Sequence, residues 1–398
     1  MTGVTAEYNP FHKGHQYQIG KIREKWPRDP IIALMGGDFT QRGEPAIMDK
    51  FTRTKIALTG GADLVIELPS VYAVSGADDF GLGAVKILKG LGTVKRMVFG
   101  AEDPDRDFLE AISGKKWESE KFNSDLRTNL KAGLTYPKAY SKSFSGNGME
   151  EYAKALKKPN NILALSYMRA AKRLSCDMEM IPMERVGEGY IQGASRIREA
   201  VFSGGLSKGL GLLPGFSYEE MEKFGKERAF LSMDDFSHYL GSFFLENGKE
   251  GILRFTGGNK DLANRIYRYS KDFTGASSLA GYVKNKSVTY ARISRIFVRM
   301  ILGLDDDTLK LAKDDDFFPY ARILGVRKEK RYLIGELISS SKIPVMAGTA
   351  DIIKQRLNNG QRLLLEKDLH AHALYRQALM IRGRCRIPGE FEEGLVVV

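Results

Sequence analysis

The sequence predicts an α/β protein: a parallel sheet in the first half, then a mainly helical second half. Three observations predict it. Short apolar runs recur at Gly3–Ala6, Ile31–Met35, Leu64–Leu68, Arg96–Phe99 and Met178–Met183. Helical periodicity fills the gaps, near His15–Lys25, Asp49–Thr59, Phe80–Lys89 and Asn161–Lys172, and that alternation reads as βαβ units. Beyond the Gly-rich stretch Ser203–Ser217 the strand signals mostly vanish and helical patterns take over. Residues 1–203 are therefore expected to form one domain, with a charged insertion at about 102–158, and residues 204–398 a helical one.

Composition narrows the classes. Hydrophobic residues are 43% of the chain and charged residues 28%, ordinary for a globular protein. No apolar run approaches the roughly 18 residues of a membrane span, so no membrane partner is expected. The N-terminus has no secretory pattern. Cys176 and Cys385 lie far apart, without metal-ligand spacing. These features predict a cytoplasmic location and no protein-held metal. Lys and Arg number 61 against 49 Asp and Glu, a net charge of +12. From Gly251 to Leu304 there are ten Lys or Arg against two Asp, which points to a polyanionic partner.

The chain has five histidines, and two of them fall in "NPFHKGHQYQ", as His12 and His15. The first strand ends near Ala6, the chain turns at Asn9-Pro10, and a helix opens near Gly14. Both histidines then lie at a strand's carboxyl end and a helix N-terminus, whose free N–H groups suit phosphate. Spaced i and i+3, they point to one side, where each can donate to phosphate oxygens. Gly14 lets backbone approach a ligand. This is the pattern of a nucleotide site where charge develops at an α-phosphate.

Further candidates follow in chain order. Asp38, Gln41 and Arg42 follow the second strand and are expected at the same sheet edge. Gly100 ends another strand, where it would admit a nucleoside. Asn160 and Asn161 open a helix; capping uses one and leaves one for a ligand. Ser195 is placed at an N-cap with Arg196 and Arg198 in the first turn, where a bound anion would offset their conflict with the helix dipole. In "TYARISRIFVRMILGL", Ile293 to Leu304 form an apolar stripe and Arg292, Arg295 and Arg299 a basic one. With Tyr267, Tyr269 and Tyr290 nearby, that basic stripe suits RNA. His370 and His372 are two apart on a helix, do not share a face, and read as structural.

The runs "AEYNPFHKGH", "GDFTQRGEPAIMDKFTRTKIAL", "GADLVIELP", "FGAE", "PNNILALSY" and "SKIPV" resemble the bacterial tRNA(Met) cytidine acetate ligase family. The resemblance runs over nearly the whole chain, and HxGH places it among Rossmann-like, HIGH-type nucleotidylyl transferases. It implies an enzyme that makes acetyl-adenylate from ATP and acetate. The acetyl group then goes to the N4 amine of the wobble cytidine of elongator tRNA(Met). It implies an ATP site on Thr5, Ala6, Glu7, Tyr8, Asn9, Pro10, Phe11, His12, Lys13, Gly14, His15, Gln16, Tyr17 and Gln18. Gly100, Asn160, Asn161 and Arg185 would complete that site. His12 and His15 are expected to be catalytic, and Arg292, Arg295 and Arg299 to bind tRNA. Mg²⁺ is expected to ride on the ATP phosphates. Gly193 and Ser195 stand where related chains tend to show Ser and Thr. Partners are thus elongator tRNA(Met) and acetate, with no DNA. Two other classes share the sequence features: a small-molecule adenylyltransferase, and a nucleotide-regulated RNA-binding protein without catalysis.

Overall fold

The computed structural model describes residues 1–113, 120–134, 138–139, 142–143, 154–156, 158–185, 193–203 and 205–398. Part of the expected insertion, and Ile191 and Gln192 beside Gly193, lie outside the described residues.

Five parallel strands arise where the apolar runs predict them: β1 (Thr2–Ala6), β2 (Ile31–Gly36), β3 (Leu64–Leu68), β4 (Arg96–Ala101) and β5 (Glu179–Glu184). Their order is β5-β4-β1-β2-β3, with β1 central. The chain steps outward from β1 through β2 to β3, then returns to β1's other side for β4. This makes a topological switch point at the carboxyl ends of β1 and β4, where such sheets bind ligands. The helices Lys13–Lys25, Lys50–Thr59, Ala77–Gly90 and Pro159–Arg173 fall in the expected intervals.

The sheet does not stop there. β6 (Ala321–Val326) pairs antiparallel with β3, and β7 (Val345–Met346) and β8 (Val396–Val397) pair parallel with β6. The sequence reading, in which strand signals mostly vanish past Ser217, missed these strands. β6 is buried on both faces like β2 and β3, but Arg322 and Gly325 interrupt its apolar run. β7 and β8 are two residues each. The rest of that half is mainly helical, as expected.

Pairing β3 with β6 sets Glu67 opposite Arg322. Arg322 Nη1 lies 3.0 Å from Glu67 Oε2, and its other nitrogen meets Glu390. Lys50 Nζ joins both acids, at 3.0 Å from Glu67 and 3.1 Å from Glu390. All four side chains are at most 7% exposed. The cluster is neutral and fixes three distant segments, though such burial specifies geometry more surely than it adds stability.

Arg53, 1% exposed, acts differently. Its guanidinium donates to Glu7 O (2.7 Å), Gly36 O (3.1 Å) and Met48 O (3.0 Å), and also to Gly37 O. It therefore ties the carboxyl ends of β1 and β2 together through backbone oxygens. We expect Arg53→Met to lower unfolding stability by on the order of 3 kcal/mol or more, because several buried acceptors lose their partner. Urea denaturation checks this; a variant within about 1 kcal/mol of wild type would show that the carbonyls find other donors.

Candidate active site at the carboxyl ends of β1 and β4

The turn after β1 is built before any ligand arrives. Tyr8 adopts φ 45°, an uncommon conformation for a bulky residue, and is held in the core against Phe11 and His15. Asn9 Oδ1 accepts from Ile47 N at 2.7 Å, and Asn9 O from Arg198 at 2.7 Å. Glu7 Oε1 accepts from Gln41 N at 2.6 Å. Thr5 Oγ1 donates to Tyr167 at 2.8 Å.

His12 is the N-cap of helix Lys13–Lys25. Its Nδ1 accepts from Gly14 N at 3.0 Å, and its own N–H donates to His15 Nδ1 at 3.2 Å. The two rings stack with centroids 3.8 Å apart. Because each Nδ1 accepts a backbone N–H, each neutral ring carries its proton on Nε2. Burial, with the Arg185 charge adding to it, lowers the His12 pKa to about 4. Burial, then His12 and Arg185, holds His15 well below its ordinary value. At neutral pH the pair is two uncharged Nε2–H donors.

Positive charge comes from elsewhere. The stem of Arg185 lies over Gly100, where a Cβ would come within 3.1 Å of it. Its Nη1 donates to Asn160 Oδ1 at 2.9 Å. Burial lowers its pKa, against the raising effect of Glu102. Arg198 and Arg42 reach Ser195 Oγ at 3.4 and 3.5 Å. Gly193, which begins helix Gly193–Ser203, faces the His12 ring, with room for a Cβ at an ordinary 3.7 Å.

Three helix N-termini thus meet at this edge, and two are already capped. Glu102 accepts from Asn160 N (3.3 Å), Asn160 Nδ2 (2.6 Å) and Asn161 N (2.9 Å), so its carboxylate caps helix Pro159–Arg173. His12 closes the start of helix Lys13–Lys25 in turn, its Nδ1 accepting from Gly14 N and its O from His15 N and Gln16 N, so the histidine rings rather than bare helix N–H groups face the site. Sequence reasoning quoted Glu102 but gave it no role; an acidic residue after a strand, facing a helix start, was the signal.

The other expected residues divide plainly. His12, His15, Gly14, Gly100, Arg185 and Asn160 come together. Asn161, 0% exposed, accepts from Glu102 N and Asp103 N and donates to Asp103, so its amide is spent on structure. Tyr8, Asn9, Pro10 and Phe11 are buried; Lys13, Gln16 and Tyr17 are exposed, and Lys13 reaches Gly211 O at 2.9 Å. Asp38 is spent too: Oδ1 accepts from Lys50 N at 2.7 Å and Oδ2 lies 2.8 Å from His372 Nδ1. Burial raises the Asp38 pKa, but His372, Lys50 and Arg53 outweigh it and leave it at about 2.

The basic stripe is not one surface. Arg292 is exposed. Arg295 donates to Gln41 O at 3.1 Å, and burial, with Arg292 and Arg299 beside it, lowers its pKa to about 10. Arg299 donates to Leu304 O at 3.0 Å and Asp306 at 2.8 Å. It closes its own helix's C-terminus.

We expect ¹⁵N NMR at pH 7 to find both site rings neutral and protonated at Nε2, with His12 taking up a proton only near pH 4. A depressed pKa favours the folded state above the unfolded value of about 6.5, and that contribution fades as pH falls toward 4. A ring charged at pH 7 would overturn the assignment.

The family model described as HIGH Nucleotidyl Transferase matches residues 1–385. The tRNA(Met) cytidine acetate ligase of Thermoanaerobacter sp. (strain X514) is 34% identical over 389 residues, covering 94% of each chain. That of Halothermothrix orenii (strain H 168 / OCM 544 / DSM 9562) is 29% identical over 93% of this chain and 92% of its own. The crystal structure of Thermotoga maritima TmcAL bound with alpha-thio ATP has a TM-score of 0.88 at 28% identity, covering 100% of this chain and 99% of that one. The chain belongs to the HIGH nucleotidyl transferase family, in the company of the tRNA(Met) cytidine acetate ligases.

Proposed function

We propose that this chain is an ATP-dependent ligase that activates acetate as acetyl-adenylate and transfers the acetyl group to a cytidine amine of tRNA(Met). The observation that carries the reading is the pair of stacked, neutral imidazoles beside Arg185, at the start of helix Lys13–Lys25 on the switch point. The relatives matched over almost the whole chain supply the substrates. ATP lies with its phosphates toward His12, His15 and Gly14 and its nucleoside toward Gly100 and Asn160. Among the described residues no cluster of three or more His, Cys, Asp or Glu could hold a metal. Mg²⁺ in this reading arrives on the phosphates of ATP.

Acetate is already ionised at pH 7, so the first step needs no general base. Its oxygen attacks the α-phosphorus and the bond to pyrophosphate breaks. The Nε2–H groups donate to the charge that grows on the α-phosphate, and fixed donors cost no reorganisation there. The cytidine amine then attacks the acetyl carbonyl, AMP leaves, and the amine gives up a proton. Residues 1–203 carry the chemistry and 204–398 the tRNA in this division. The setting is cytoplasmic, where ATP and tRNA meet.

His12→Asn keeps an N-cap acceptor but loses the ring donor. We expect it, and His15→Ala, to lower acetate-dependent ATP–pyrophosphate exchange by about 10²–10³ with the fold retained. Exchange near the wild-type rate in both variants removes the histidines from the chemistry. Exchange without acetate points instead to a small-molecule adenylyltransferase.

Arg292 and Arg299 should separate in a salt titration of tRNA binding. Arg292→Gln should lower the log–log slope by about 0.7–0.9, the loss of one phosphate contact. Arg299→Gln should leave the slope alone and lower thermal stability, since it breaks the Asp306 pair. Equal slope changes in both would mean that Arg299 leaves Asp306 to bind RNA.

A further inference from the structure

The helical half contains a cleft of about 520 Å³ that shares no residue with the nucleotide site. It lies between the start of helix Lys260–Ser270 and the turn 284–289 that leads into helix Tyr290–Leu302. Its size falls within the roughly 300–1,000 Å³ that accommodates small organic groups.

Its lining combines stacking surface with fixed cations. Arg268 sits over the Tyr269 ring at 5.1 Å and Arg265 at 5.8 Å. Tyr269 stacks in turn on Tyr282, with centroids 6.1 Å apart and planes 18° off parallel. Tyr282 is 63% exposed, so the stack is open to solvent. Arg265 is held in place by two carbonyls, Tyr282 O at 3.2 Å and Lys284 O at 3.3 Å. Its Nε is buried with no hydrogen-bond partner, a donor that the folded protein leaves unused.

The polar lining can read a base edge. Asn285 spends its Oδ1 on Ser287 N and Val288 N, both at 2.8 Å, and retains its amide donors. Asn264 is exposed and has no partner among the described residues. Asp261 adds one acceptor. Lys284 and Lys286 are exposed on either side of Asn285. A planar ring with donors and acceptors, attached to a phosphate, matches the exposed amide, carboxylate and cationic groups of this lining. An unstacked nucleotide has that chemistry, and single-stranded RNA is bound through stacking platforms beside basic grooves.

We propose that this cleft seats one unstacked nucleotide of the RNA substrate, away from the base that is modified. The nucleobase stacks against Tyr269, and its phosphate meets Arg268. The cleft therefore positions the tRNA and takes no part in the chemistry. This rests on the RNA-substrate reading above.

The test uses the full chain with tRNA(Met), and compares Tyr269→Leu and Arg268→Gln with wild type. Tyr269→Leu should weaken tRNA binding about 5- to 150-fold with its salt slope unchanged, because one stacked base is lost. Arg268→Gln should weaken binding and lower the slope by about 0.7, one single-strand phosphate contact. In both, KM for tRNA rises while acetate-dependent ATP–pyrophosphate exchange stays at the wild-type rate. Wild-type affinity and KM in both variants, with a wild type that acetylates tRNA, overturn the cleft and leave the function standing. A wild type that neither binds nor acetylates tRNA overturns the substrate reading, and the cleft with it. Should Tyr269→Leu misfold by circular dichroism, the exposed Arg268 decides alone.

Discussion

The guanidinium of Arg53 governs the rest of the site. It gathers backbone oxygens from the ends of β1 and β2 and from the loop after Gly37. Those ends carry the turn that sets His12 and the loop that carries Asp38 and Gln41. The loop is held again from the second half, where Tyr375 donates to Ala46 O at 2.7 Å and His372 reaches Asp38. Gly43, at φ 78°, passes so close to the helix of Arg295 that a Cβ would clash with its backbone at 2.2 Å. The helical half thus buttresses the nucleotide edge directly.

Within that frame, the site separates two tasks that one charged histidine would merge. In the proposed reading, shape and hydrogen bonding toward phosphate come from neutral rings with fixed tautomers. Charge comes from arginines whose positions are set by Asn160 and Ser195. Neutral donors keep their geometry when the anion leaves, because no buried cation is left stranded. His372 shows the opposite arrangement. Burial pulls its pKa down, but Asp38 outweighs burial and raises it. Its ion pair stabilises the fold fully below about pH 6.5 and is lost as pH rises through the raised value. The two kinds of histidine therefore weigh on opposite sides of neutrality.

Much of this was legible in the residues. Apolar runs located the five parallel strands and helical periodicity the helices between them, because the two patterns alternate along the first half. The spacing of His12 and His15 implied rings on one side, and the rings stack. The basic stripe was harder, since the same spacing describes a phosphate-binding face and arginines that bond to nearby backbone. Only Arg292 is left exposed. Two asparagines at a helix start suggested a spare ligand, but the loop after β4 uses Asn161 fully. Arg53 left no trace at all, because backbone carbonyls are its partners and every residue has one. β6 was hidden for a related reason: its charge, Arg322, is matched 255 residues away by Glu67.

That long-range match bears on how the protein comes into being. During synthesis the N-terminal strands leave the ribosome first and would normally collapse as a unit. Here Lys50 and Glu67 face a cluster that lacks two members until Arg322 and then Glu390 emerge. β3 likewise has an unpaired edge until β6 arrives. A nascent chain short of residue 390 therefore carries a half-built charge cluster and an open sheet margin. The sheet edge that carries the candidate site thus reaches its final packing only after the basic helices, which precede Arg322 in the chain, have also been made.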